Sequence, residues 1–419
     1  MKILSWLPDK KFIKQSFVLS SATLLAQVVS FLGSLILFRL YAPAEYGKFG
    51  IFVTVSSLVS LVGTGQLQHA VFISENKKQT EQLLSVMMLL SLVISIVFAL
   101  LLVIFYRQLE GLGTWVILFL PLSILAGGYF FFLSALAVST KTFDLLSYQK
   151  IYSAIISLVI SIAIGIWYKD ALGLVVGFLI SQLVSVLIFY YKLKKLFRFE
   201  FLINTKDLVQ IFTRFKNFPL FTLPSELVNT LVNQLPLILL GRYYSLDAVG
   251  HYKMAVTILN LPIGALAVPV STVFKQQAAA ALAAFSTCRE IYLKTTRMLL
   301  LSGSLPFLVL GLFGSSLLPL IFGADWQSAG KMVQILVGLY FARFVVSPLT
   351  SVTQLTGHQQ FALWFNVVLL ILTLVLFYGG HQMGVSYLQL LSVYALLYGS
   401  LYIFTYTMCL KFCSHAEQH

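Results

Sequence analysis

Charge is scarce in this 419-residue chain: Asp, Glu, Lys and Arg make up 10% of it, against 59% hydrophobic residues. About a quarter of the residues of a soluble globular protein are charged, so the composition excludes a soluble domain. Cysteine is scarcer still. The three present, Cys288, Cys409 and Cys413, are odd in number and lack framework spacing, so no structural disulfide is expected. Cys409 and Cys413 lie four apart near the end of the last apolar run and read as core or tail cysteines. No GxxxxGK[ST] phosphate loop, HExxH helix or CxxC pair occurs, so nucleotide hydrolysis by the chain itself and metal catalysis lack support. Long polar loops are missing too. A membrane enzyme would carry its catalytic residues on such loops, and only a lipid-facing site built on Glu226 and Arg343 would remain to it; the chain reads as a non-enzyme.

What the chain has is apolar length, with a mean hydropathy of +0.92. A membrane-spanning helix needs about 20 mostly apolar residues, and twelve such runs are expected, at 14–40, 46–73, 82–106, 114–139, 149–168, 171–192, 216–241, 249–275, 295–322, 327–355, 360–378 and 385–410. The expected fold class is an all-α integral membrane protein of about twelve transmembrane helices, in two parallel six-helix lobes around a central cavity. The first run, Phe17 to Phe38, follows four lysines but exceeds the roughly 7–15 residues of a signal-peptide core and reads as a permanent span. The formal charge of +14 does not point to nucleic acid, because the basic residues are divided among the loops. A cytoplasmic N-terminus places twenty of the 28 Lys and Arg inside and seven outside, including Lys253, with Arg343 alone within a span. That bias orients the chain with both termini in the cytoplasm.

The longest polar break, around residues 192–216, suggests an N-terminal lobe at 1–197, a linker at 198–216 and a C-terminal lobe at 217–419. The two lobes repeat each other. Arg39, Tyr41, Gly47, Phe49, Val53 and Thr54 match Arg242, Tyr244, Gly250, Tyr252, Val256 and Thr257, always 203 residues on. Six spans return the chain to its starting side, so the repeat is parallel, an arrangement that encloses a cavity and exposes it to each side in turn.

A transport route also needs polarity that faces inward. Ser16, Ser20, Thr23, Gln27, Ser30 and Ser34 share one face of the first span, and Thr222, Glu226, Asn229 and Asn233 follow the same rhythm in the seventh. The serines alone fit helix-to-helix glue. Gln27, Glu226, Asn229 and Asn233 are costlier to bury in lipid and are expected to line a cavity. Glu226 is the one carboxylate well inside a span and Arg343 the one base near a span centre, so each needs a partner or a use; they could pair with each other. Arg39 and Arg242 either snorkel at the outer helix ends or form a symmetric basic pair suited to phosphate. His69 and His251 are expected to flank the same outer mouth. Pro219, Pro224 and Pro236 predict a bent seventh span, and aromatic clusters such as Tyr129 to Phe132 read as lipid-facing or interfacial.

The stretch Leu40-Tyr41-Ala42-Pro43-Ala44-Glu45-Tyr46-Gly47 resembles the L-x-x-P-x-E-Y-G segment of the bacterial polysaccharide transporter family, which includes the O-antigen flippases. Phe218-Pro219, Gly241 to Tyr252 and Phe322-Gly323-Ala324-Asp325-Trp326 are similar to the same family, part of the multidrug/oligosaccharidyl-lipid/polysaccharide exporter superfamily. The resemblance implies an inner-membrane flippase carrying an undecaprenyl-diphosphate-linked oligosaccharide to the periplasmic leaflet. The polar and basic residues marked above, Gln27, Arg39, Glu226, Asn229, Asn233, Arg242 and Arg343, are expected to form the substrate site. No bound cofactor is expected, though coupling to a proton, sodium or other ion gradient is open. Polysaccharide polymerase and chain-length proteins are the expected protein partners. The alternative is a cation-coupled multidrug exporter of the same superfamily, but such exporters commonly carry a first-span carboxylate, where this chain has Gln27.

Overall fold

A backbone surrounded by lipid must satisfy its own hydrogen bonds, which favours helices. The computed structural model describes residues 10–105, 111–197 and 205–414, leaving aside the side chains of 10–24, 143, 205–207, 359 and 414. No strand occurs among the described residues. The side chains of Ser16, Ser20 and Thr23 lie outside the described residues.

The helices of the first half are α1 (Lys10–Leu40), α2 (Pro43–Gly63), α3 (Lys77–Ile104), α4 (Val116–Ser139), α5 (Phe143–Trp167), α6 (Ala171–Leu193) and the short α7 (Thr205–Phe215). The second half has α8 (Leu223–Tyr243), α9 (Leu246–Pro262), α10 (Val268–Phe285), α11 (Arg289–Phe322), α12 (Gln327–Val346), α13 (Val352–Leu355), α14 (Gln359–Gln382) and α15 (Tyr387–Ser414). The starts follow capping chemistry: Asn76 Oδ1 accepts from Gln79 N (2.9 Å) at α3, and Ser245 Oγ accepts from Ala248 N (3.1 Å) at α9.

Ten helical stretches among the described residues are long and apolar enough to cross a membrane. The expected seventh span, α8, is not among them because Glu226, Asn229, Asn233 and Gln234 dilute it. Its irregularity is a π-helical turn at Phe218–Thr222, opening on Pro219. A second π turn, Ile263–Ala267, sits between Pro262 and Pro269 and joins α9 to α10 as one 40-residue helical stretch, longer than the expected 249–275. Pro removes a ladder hydrogen bond, and such turns absorb the mismatch.

By contacts the chain divides into two units. One holds the residues up to Tyr41 and Ile51–Thr230, the other Ala42–Gly50 with the residues from Leu231 on. In the first, α3, α4 and α6 and the 3-10 segment Leu67–Ile73 pack around Leu83, Met87, Phe132, Leu136 and Phe189. Phe132 is 1% exposed, so the Tyr129 to Phe132 cluster turns its last ring into the core and not to lipid. In the second, α12 packs against α9, α11 and α15.

The repeat has a reciprocal contact inside the second unit. A Cβ placed on Gly47 would run into the carbonyl oxygen of Leu246, and one on Gly250 into that of Pro43. Gly250 and Leu246 each lie 203 residues beyond Gly47 and Pro43. The starts of α2 and α9 therefore cross related by local two-fold symmetry, at a distance only glycine allows.

Candidate functional site

The helix that sequence marks as polar supplies one wall of the site. Asn233 lies on α8, one turn past Asn229, and both are exposed. Arg343, in the last turn of α12, reaches across and donates from Nη2 to Asn233 Oδ1 at 2.8 Å. The guanidinium carbon lies 5.8 Å from the centroid of the Tyr340 ring, a cation–π distance. The rest of the site is aromatic. Tyr252 on α9, Tyr340 on α12 and Tyr394, Tyr398 and Tyr402 on α15 join Asn233 and Arg343 around a cavity of about 20 Å³. That is room for about one water or one anionic oxygen in this conformation.

The spacing 394, 398, 402 puts the three α15 tyrosines on one helix face, and the face points inward: Tyr394 is 6% and Tyr398 3% exposed. Their rings are 4.1 Å apart, and the Tyr398 hydroxyl donates to Leu369 O on α14 at 2.7 Å. That hydrogen bond satisfies the Tyr398 phenol, which burial would otherwise leave unpaired. Within its unit, no described carboxylate pairs with Arg343; the groups that share its cavity are Tyr252, Tyr340, Tyr394, Tyr398 and Tyr402. Tyrosines offer a cation ring faces and oxygens but no formal counter-charge.

Of the residues singled out from sequence, the structure thus brings Asn233 and Arg343 together. Gln27, Arg39, Glu226, Asn229 and Arg242 are not among those lining this cavity. Gln27 and Glu226 are half-buried, and Arg39 and Arg242 are exposed at the ends of α1 and α8. Sequence reasoning missed all five tyrosines, although the four-residue ladder on the last span was a readable signal. Lys253 sits in the second turn of α9, half-buried, with its stem packed over Gly50.

The two histidines lie in different units. His251 lies near the start of α9 by the glycine crossing, where Nε2 is 2.9 Å from Asp325 O and the ring meets Trp326 edge-on. His69 is six residues past the far end of α2 and stacks on Phe218.

The chain is thus all-helical among its described residues, with ten stretches long and apolar enough to cross a membrane and a guanidinium held by Asn233 within the helical body, a placement costly enough to call for a use. The chain belongs to the polysaccharide biosynthesis protein family, whose profile matches residues 36–331. It is 29% identical over 259 residues to the teichuronic acid biosynthesis protein TuaB of Bacillus subtilis (strain 168). That match covers 61% of this chain and 52% of TuaB, so the chain spans about half the length of that relative. Among solved structures, the lipid II flippase MurJ in an inward closed conformation superposes with a TM-score of 0.75 at 14% identity, covering 94% of this chain and 87% of MurJ. An inward-facing multidrug resistance MATE family transporter of the MOP superfamily gives 0.69 at 14% identity, covering 93% and 94%. These neighbours are transporters, and at such identity the likeness is one of fold.

Proposed function

We propose that the protein is a flippase for an undecaprenyl-diphosphate-linked oligosaccharide repeat unit, carrying it from the cytoplasmic to the periplasmic leaflet of the inner membrane for surface polysaccharide synthesis. The observation that carries this reading is the Arg343 guanidinium, held by Asn233 among five tyrosines with no ion pair to a described carboxylate. A charge inside a membrane costs at least about 2.5–3.5 kcal/mol, and an anionic ligand that neutralises it during transport recovers that energy. Guanidinium suits phosphate oxygens because it presents two parallel donors. Tyrosine gives a sugar both an apolar ring face and a hydroxyl. Neither the diphosphate nor the sugar hydroxyls cross hydrocarbon unaided.

In this reading two lobes, 1–197 and 217–419, joined by 198–216, work by alternating access. Both termini are cytoplasmic, as the distribution of lysine and arginine supports. Gln27, Asn229 and Asn233 contact sugar, basic groups such as Arg343, Arg39 or Arg242 meet the diphosphate, and Glu226 belongs to the same substrate site. A polysaccharide polymerase and chain-length proteins take over the product. Replacing Arg343 with Ala at normal expression is expected to stop surface polysaccharide and accumulate the lipid-linked unit facing the cytoplasm. Undiminished surface polymer in that variant would remove Arg343 from the route.

The likeness to MATE transporters favours a second reading, a cation-coupled multidrug exporter with Glu226 as its coupling group. Against it stands the sign of the site, since a fixed guanidinium repels organic cations. Resistance to such cations that disappears in Glu226→Gln would favour the exporter.

A further inference from the structure

Three thiols scattered in sequence meet at one end of the second unit. Cys288 lies in the tight loop between α10 and α11, where Ser286 turns the chain with a φ of 55°, and Cys413 lies in the last turn of α15. Their sulfurs are 2.9 Å apart. Two hydrogen bonds converge on the Cys413 carbonyl and fix the strands of chain side by side: Cys288 N at 3.2 Å and Thr287 Oγ1 at 2.9 Å. One turn on, the Tyr292 hydroxyl donates to Tyr406 O at 2.9 Å, so α11 and α15 hold this register beyond the cysteines. Cys288 is 1% exposed, but Thr287 and Arg289 on either side of it are exposed, so the thiol sits one layer below the loop surface. Cys409 is buried one turn back on α15 and packs in the same core.

We propose that Cys288 and Cys413 are a reversible oxidation site, closing to an intrachain disulfide on exposure to a hydroperoxide. The Cys288 thiol is held below its ordinary value by its hydrogen bond with Cys413, which outweighs the opposing effect of burial, and a thiolate is the form that reacts. Hydrogen peroxide oxidises Cys288 to a sulfenic acid and releases one water. The Cys413 sulfur then attacks that sulfur, the S–OH bond breaks, the disulfide forms and the hydroxyl leaves with the Cys413 proton as a second water. Two thiols are oxidised and the two peroxide oxygens reduced. Cys409 is a poor competitor, because it and Cys413 lie on one helix with their Cβ atoms directed along the same face. The closed bond would tie the loop before α11 to the end of α15, the helix that carries the tyrosine ladder. On a reducing side of the membrane such a pair is thiol at rest and bridged only under oxidative stress.

The test uses the full-length protein in native membranes, treated with hydrogen peroxide, denatured, alkylated and digested without reductant. Mass spectrometry is expected to find a peptide joining Cys288 to Cys413, two hydrogens lighter than its parts and released by dithiothreitol. One thiol per chain, Cys409, should remain open to maleimide, and Cys409→Ser should form the same link. Three alkylatable thiols after peroxide, a Cys409–Cys413 link, or Cys288 carried to sulfinic acid without a crosslink would each overturn the proposal.

Discussion

The two units bury polarity in different ways. In the first, several buried serines bond across helices: Ser56 and Ser123 share a hydrogen bond of 2.7 Å, and Ser123 donates to Gln182 at 3.0 Å. Ser60 and Ser95 donate to the carbonyls of Ile124 and Pro121 on α4. This is helix-to-helix glue of the kind small hydroxyl residues provide in membranes. In the second unit the polar group is an ion, its partner is an exposed amide, and aromatic oxygens stand around a small open space. Halves that still match at Arg39/Arg242 and Gly47/Gly250 have thus diverged inside. One interior holds helices together, while the other keeps a charge in reserve.

Six substitutions sharpen or break that contrast. Arg343→Ala should have the largest effect, a loss of about 1.5–3 kcal/mol of substrate interaction, roughly 10- to 150-fold in transport. Arg343→Lys should recover part of it, and both should melt as wild type does. Gly250→Val should lower thermal stability by about 1–3 kcal/mol, because its side chain meets the Pro43 carbonyl. Gly47→Val should match it by symmetry, and unequal losses in Tm would argue against the reciprocal crossing. Ser123→Ala should cost about 1 kcal/mol of stability while leaving transport unchanged, since it unpairs Ser56 and Gln182 in the first unit only. Tyr402→Phe should leave stability within about 0.5 kcal/mol and weaken transport modestly. A Ser123→Ala defect in transport larger than that of Tyr402→Phe would erase the contrast between the interiors.

Much of this was legible in the sequence. Helical class follows from hydropathy alone, and the 203-residue offset marks Gly47 and Gly250 as equivalent positions, though not the crossing that the structure makes there. The polarity of α8 was readable from its four-residue rhythm, as was the demand that Arg343 find a partner. The identity of that partner was not. A contact between α8 and α12 depends on the depth and rotation of each helix, which periodicity does not encode, and Asn233 meets the guanidinium. The α15 ladder was visible as a face without a direction, because in a chain this apolar an aromatic stripe looks the same toward lipid or toward protein. Helix ends set by hydropathy drift by several residues: α2 stops at Gly63, where the sequence suggested 73.

The most direct measurement is leaflet exchange of a fluorescent, diphosphate-linked prenyl oligosaccharide in vesicles containing the purified chain, with Arg343 varied to Ala and to Lys. Exchange is predicted to be fast with wild type, near the protein-free rate with Arg343→Ala, and intermediate with Arg343→Lys. Equal exchange by all three proteins would contradict a role for the buried guanidinium in carrying the anionic head group.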